Sequence, residues 1–184
     1  LPLMLTPYQV SGQELVLSAS IGIALYPEDG QHFHELYRHA DIAMYRAKEK
    51  GRNTYCFFTS EMQRYHARHL LLENALRRAI DNNELSLVYQ PQYSLQQQKL
   101  IGFEALLRWQ HPELGFVSPG EFIPLAERSG LVIPLGEWVL KTALAERAAW
   151  QQLTSSELTV AVNLSPVQFR QPGLLTVIDA QLQA

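Results

Sequence analysis

The amino-acid sequence predicts an α/β protein built from two units. Three observations carry this reading. From Leu85 onward, strand-like runs alternate with apolar stripes of helical period, the pattern of a parallel α/β sheet or barrel. Residues 158–164 are a nearly continuous apolar run, typical of a buried parallel strand. Between the two units stands Asp81-Asn82-Asn83, three turn-forming residues with nothing apolar among them.

The elements follow in order. Residues 14–26 are rich in β-branched and small side chains and end at Pro27-Glu28-Asp29-Gly30, so they read as one strand and a turn. Phe33, Leu36, Tyr37, Ala40, Ala43, Met44 and Ala47 recur at helical spacing and predict a helix with one apolar face. Lys48 and Lys50 close it where cations suit the dipole, and Gly51 stops it. Residues 54–58 read as a short strand. Ser60 and Gln63 have capping-box spacing and open a second helix. Its stripe runs through Met62, Tyr65, His69, Leu72, Leu76 and Ala79 to the boundary at Asp81.

Residues 85–93 and 100–109 read as two strands joined by a glutamine-rich loop. Ser118-Pro119-Gly120-Glu121 is a second capping box, with proline at the first helical position. It opens a helix carrying Phe122, Ile123, Leu125 and Ala126. A longer helix follows Pro134, with Leu135, Trp138, Val139, Thr142 and Trp150 on or near one face. Ser165-Pro166-Val167-Gln168 repeats the capping box after the apolar run, and residues 174–183 read as helical.

Composition excludes several classes. Apolar residues are 47% of the 184, too many for a disordered chain. A net charge of -3 provides no basic field for a nucleic-acid polymer. No apolar run reaches the roughly 18 residues of a membrane span. A single cysteine, Cys56, excludes an internal disulfide framework and fits a reducing compartment. The chain starts at Leu1 without a signal-peptide pattern, so a piece of a longer protein is expected.

In α/β folds the chemistry sits at the C-terminal ends of strands, which directs attention to polar residues there. Glu104 lies inside the apolar stretch Ile101-Gly102-Phe103-Glu104-Ala105-Leu106-Leu107-Arg108-Trp109. Strand alternation puts Glu104, Leu106 and Arg108 on one face and Phe103, Ala105, Leu107 and Trp109 on the other. Arg108 is about 13 Å along the strand from Glu104, far for a direct pair but suited to two parts of one anionic ligand. A carboxylate for a cation beside an arginine for a phosphate is one reading. A solvated Glu and Arg on an edge strand is the other, and spacing alone favours it. Asn163 ends the run Val160-Ala161-Val162. Its carboxamide suits a hard cation or a cap in the following turn, with the second favoured. Gln90 ends the strand before the first loop, as a contact for a base or sugar or as an ordinary loop amide. Lys48 and Arg52, four apart at the end of the first helix, could grip phosphate or simply be solvated. His66, His69, His32 and His34 lack the spacing of a zinc set.

Several words in order carry a resemblance. Val88-Tyr89-Gln90-Pro91, Gly102-Phe103-Glu104-Ala105-Leu106-Leu107-Arg108-Trp109, Ser118-Pro119-Gly120-Glu121-Phe122-Ile123-Pro124-Leu125-Ala126-Glu127 and Val162-Asn163-Leu164-Ser165 together resemble the start of an EAL domain. Upstream, Ser20-Ile21-Gly22-Ile23-Ala24, Ala40-Asp41-Ile42-Ala43-Met44-Tyr45 and Gly51-Arg52-Asn53 resemble the C-terminal end of a GGDEF domain. The resemblance implies residues 1–59 as the end of a GGDEF domain with a nucleotidyl-cyclase-like α+β fold. Residues 60–83 become a connecting helix and 84–184 the first part of a TIM-type EAL barrel.

By motif match Glu104 and Asn163 would be catalytic metal ligands for Mg²⁺ or Mn²⁺. Arg108 would contact a phosphate, with Leu106 and Gln90 lining the pocket. The implied activity is that of a cyclic di-GMP phosphodiesterase, hydrolysing cyclic di-GMP to linear pGpG. The alternative is a regulatory module of a degenerate GGDEF–EAL protein that binds cyclic di-GMP or GTP without catalysis. In the GGDEF half Lys48 and Arg52 would contact phosphates, GTP would be a further ligand, and a homodimer is implied. The domains would be cytoplasmic, in a parent that a membrane anchor could hold. The GGDEF word itself and the later acidic ligands and lysine of the EAL family lie outside the sequence. The 184 residues alone are therefore expected to be inactive.

Overall fold

The computed structural model describes residues 7–152 and 158–183; residues 1–6, 153–157 and 184 lie outside the described residues. The chain divides into two compact units, one up to Leu70 and one from Leu71 on.

In the first unit β1 (Tyr8–Val10) and β2 (Gln13–Leu15) form an antiparallel hairpin. Ser11 and Gly12 between them have φ of 51° and 80°, the two-residue turn whose twist matches paired strands. β3 (Ile21–Ile23) then pairs in parallel with β4 (Tyr55–Phe57). The single strand expected over residues 14–26 is therefore split. Its first part bonds to β1 and its second to β4, so the two halves belong to different sheets.

The intervening helix α1 (Phe33–Glu49) begins where the Glu35 carboxylate accepts the backbone N–H groups of Gln31 (3.0 Å) and His32 (3.3 Å). Ile42, Ala43 and Ala47 bury against Cys56 and Phe58. Phe33 and Tyr37, expected in the same stripe, are exposed at 82% and 67%. The three-residue strands are too short to cover the first half of the helix. α2 (Ser60–Leu76) follows. Its cap is Thr59 rather than Ser60: the Met62 N–H reaches both the Thr59 carbonyl (2.9 Å) and its hydroxyl (3.4 Å). The helix ends at Leu76, short of Asp81, and residues 77–83 continue as turns with Asn83 at φ 56°.

In the second unit β5 (Leu85–Ser94) and β6 (Lys99–His111) form a long antiparallel hairpin with a bulge at Gln92 and Tyr93. On its other side β6 receives β7 (Gly115–Val117), antiparallel, and β8 (Thr159–Val162), parallel. β8 is half exposed, not buried as its apolar run suggested, because β6 is its one partner among the described residues.

α3 (Pro119–Ser129) has Ser118 at its cap, but no hydroxyl bond forms. The Ser118 carbonyl takes the Glu121 N–H (2.8 Å), and the Ser118 hydroxyl does not complete the expected capping box. α4 (Val132–Gln151) starts two residues before Pro134. Proline is tolerated in a first turn, where N–H groups lack intrahelical partners. α5 (Pro166–Phe169) and α6 (Leu174–Gln183) complete the unit. Among the described residues no helix is long and apolar enough to cross a membrane.

The core joins one face of β6 to the helices. Trp109 and Phe122 are fully buried and meet edge-on, centroids 5.5 Å apart at 82°, a geometry worth about 0.5–1.5 kcal/mol beyond area burial. Leu72, Leu76, Ala79, Val117, Leu125 and Leu135 pack around them. The Trp109 indole N–H donates to the buried Glu84 carboxylate at 2.9 Å, and the Asn82 amide donates to its other oxygen at 2.9 Å. Burial would raise the Glu84 carboxyl, but these two bonds, with His111 and Arg78 nearby, hold it below the ordinary range. A depressed folded value stabilises the fold at neutral pH, and that contribution disappears as pH falls through it. Urea midpoints at about pH 7 and about pH 3 should therefore differ more for the wild type than for Glu84→Gln.

Candidate functional site

The second unit's sheet presents Glu104 on the face opposite the buried Ala105 and Trp109. The register places Gln90 of β5 directly across from Glu104 on one side and Ala161 of β8 on the other. Asn163 follows β8 by one residue. Its Nδ2 donates to Glu104 Oε1 at 2.7 Å. Two residues 59 positions apart are thus brought together by one parallel strand pairing, and the carboxylate's partner is Asn163 rather than Arg108.

The pairing depends on a close approach. A Cβ on Gly102 would collide with the hydroxyl and backbone carbonyl of Thr159. The Thr159 hydroxyl also donates to the Ile101 carbonyl at 3.1 Å. Only a residue without a side chain lets β8 lie this close to β6 two positions before Glu104.

Arg108 lies on the same strand face, half-buried. One guanidinium N–H donates to the neighbouring Leu107 carbonyl at 2.9 Å. Arg108, Leu106 and Asn163 line a cavity of about 280 Å³ together with Glu127 and Ser165. Glu104 and Gln90 are not in its wall; Gln90 is exposed on the open sheet face. Lys48, in the last turn of α1, and Arg52, at φ 62° just after it, are exposed in the first unit.

The donor set fits a hard cation. Glu104 offers carboxylate oxygens, and the Asn163 carboxamide carries an oxygen beside the nitrogen that bonds Glu104; hard divalent ions take oxygen ligands of both kinds. Among the described residues no three His, Cys, Asp or Glu side chains gather into a metal-binding group. Glu104 and Asn163 alone supply fewer oxygen donors than a hard cation takes.

Two contacts escape the reading of residues alone. Ser165 Oγ donates to Glu127 Oε1 at 2.6 Å, and Glu84 anchors Trp109. A polar residue one turn past an apolar stripe gives no signal of a partner 38 positions away. The capping box at Ser165 does form. The hydroxyl accepts the Val167 N–H (3.1 Å) and the Gln168 Oε1 accepts the Ser165 N–H (3.0 Å).

Comparison with known proteins comes to the same region. Residues 73–184 match the family described as EAL domain, and residues 2–54 match the diguanylate cyclase, GGDEF domain. The bifunctional diguanylate cyclase/cyclic di-GMP phosphodiesterase MucR of Pseudomonas aeruginosa is 49% identical over 169 residues, 92% of this chain and 25% of that protein. The cyclic di-GMP phosphodiesterase PdeR of Escherichia coli is 41% identical over 177 residues, 96% of this chain and 26% of that protein. This chain thus spans about a quarter of the relatives it matches. Among solved structures, the PaMucR phosphodiesterase in complex with c-di-GMP has a TM-score of 0.59 at 41% identity, over 61% of this chain and 46% of that one. The FimX EAL domain from Pseudomonas aeruginosa bound to c-di-GMP has a TM-score of 0.53 at 28% identity, over 61% of this chain and 44% of that one.

The Gly102 contact makes the site sensitive to one methyl group. Gly102→Ala should cost about 1–3 kcal/mol through overpacking, read from denaturant unfolding. In an NMR spectrum it should shift the Asn163 side-chain amide as that group leaves Glu104.

Proposed function

The chain belongs to the EAL domain family, and its residues 2–54 match the GGDEF domain; from that premise we infer that the full-length protein hydrolyses cyclic di-GMP to pGpG with a divalent cation. The observation that carries this reading is the 2.7 Å contact between Asn163 and Glu104, which gathers two hard oxygen-donor residues at the end of a parallel strand pair. The reading assigns residues 1–59 to the GGDEF end, 60–83 to the connection and 84–184 to the EAL domain.

Hydrolysis adds water to one phosphorus of the cyclic dinucleotide, breaks one P–O bond and leaves a proton on the departing oxygen. A divalent cation, Mg²⁺ or Mn²⁺, supplies Lewis acidity toward a phosphoryl oxygen and makes water more acidic. Glu104 and Asn163 would hold it. Arg108 offers a cationic planar fork suited to a phosphate. Leu106 gives the ligand an apolar wall beside that charge. Gln90, opposite Glu104 in register, offers an amide to a base or sugar edge. Positioning and charge stabilisation account for most of such catalysis, so each side chain acts through where the strands hold it.

In the GGDEF half, Lys48 and Arg52 are the phosphate contacts this reading assigns, with GTP as ligand. A homodimer and cytoplasmic domains complete it.

The test is pGpG formation by the full-length protein with Mn²⁺. Glu104→Ala should abolish it. Arg108→Ala should raise KM for cyclic di-GMP by about 10-fold or more, as the loss of a charge-assisted contact of about 1.5–3 kcal/mol requires. Tight binding of cyclic di-GMP with no pGpG from the wild type would instead make the protein a binding module.

A further inference from the structure

We propose that Glu127 is a positioning residue for Asn163, acting through the hydroxyl of Ser165. The inference rests on the phosphodiesterase reading above for its kinetic arm only.

The Ser165 hydroxyl has one proton, and it points to Glu127 Oε1 at 2.6 Å, the length of a charge-assisted O–H···O bond. Ser165 Oγ also accepts the Val167 N–H at 3.1 Å. Its donor and one acceptor position are thereby committed, so the hydroxyl links α3 to the first turn of α5. A second clamp comes from α4. Gln168 is 6% exposed and lies so close over Gly136 that a Cβ there would collide with its amide. That amide's oxygen accepts the Ser165 N–H at 3.0 Å. Ser165 is thus fixed at its hydroxyl from α3 and at its backbone by a side chain seated on α4.

Both helices are anchored in the core, α3 through Phe122, Leu125 and Ala126 and α4 through Val132 and Leu135. Asn163 is two residues before Ser165 and follows the last residue of β8, whose own pairing ends at Val162. Past Val162 no strand pairing among the described residues holds the backbone, and Ser165 is the next fixed point. The carboxamide meets Glu104 within the short segment between these two anchors. A carboxylate suits this task because it accepts a hydroxyl more strongly than a neutral group does. Glu127 also lines the cavity shared by Arg108 and Asn163, so a direct role toward ligand is the competing outcome.

The experiment uses the full-length protein as wild type, Glu127→Gln, Glu127→Ala, Ser165→Ala and the Glu127→Ala/Ser165→Ala double variant. In the metal-free protein, amide exchange is followed across residues 165–169. Both Ala variants should lose protection at Val167, while Glu127→Gln, which still accepts the hydroxyl, keeps it. With Mn²⁺ and cyclic di-GMP, each Ala variant should lower kcat by about 10–100-fold, the usual effect of an outer-shell partner. KM should change little, the double variant should be no worse than the poorer single, and Glu127→Gln should stay close to wild type. Glu127→Gln as inactive as Glu127→Ala with wild-type exchange would overturn the proposal and put Glu127 on the ligand. Unchanged exchange and kcat in Ser165→Ala would overturn it as well. A wild type that makes no pGpG would refute the phosphodiesterase reading, and the exchange arm would still decide the role of Glu127.

Discussion

Glu104 is a half-exposed carboxylate on a sheet strand, and the parallel register of β6 with β8 brings it a hydrogen-bond donor. Gly102, facing Thr159, admits β8 at close range. Two positions on, Glu104 lies beside Ala161, and the chain delivers Asn163 to it at 2.7 Å. If β8 slipped by one residue, every side chain on it would change face, and the carboxylate would lose its partner. The Glu104–Asn163 contact thus depends on one strand pairing that a glycine lets close.

β6 is able to serve that pairing because its two faces are divided. Trp109 is buried in the helical core and Ala105 is buried on the same face, while Glu104 and Arg108 keep the opposite face. Glu84 holds the Trp109 indole from the side of β5, and β7 pairs with Trp109 on its other edge. The strand is therefore fixed along its length by β5, at its end by β7 and in its middle by β8. Rigid strands suit a reaction in which placement and charge do most of the work.

Much of this was legible in the sequence. Alternation along residues 101–109 put Glu104, Leu106 and Arg108 on one face, and the structure keeps them there. The capping box at Ser165 forms as spelled, whereas the same spelling at Ser118 does not. Spacing states which bonds are available, and packing decides which are made. The split of the first strand was not legible, because β-branched composition does not reveal that Leu15 and Ile21 pair with different partners. Nor was the exposure of β8, since an apolar run shows what a strand could bury and not what lies beside it. The Glu127–Ser165 bond joins residues 38 positions apart, and no local pattern reports such a contact.

The proposed function requires that Glu104 and Asn163 hold one divalent cation between them. Calorimetric titration of Mn²⁺ into the metal-stripped full-length protein tests it, as a double-mutant cycle over Glu104→Gln and Asn163→Ala. Each substitution is expected to weaken Mn²⁺ binding, and the double variant to lose less than the sum of the two. Mn²⁺ affinity unchanged by either substitution, or losses that add in full, would contradict it.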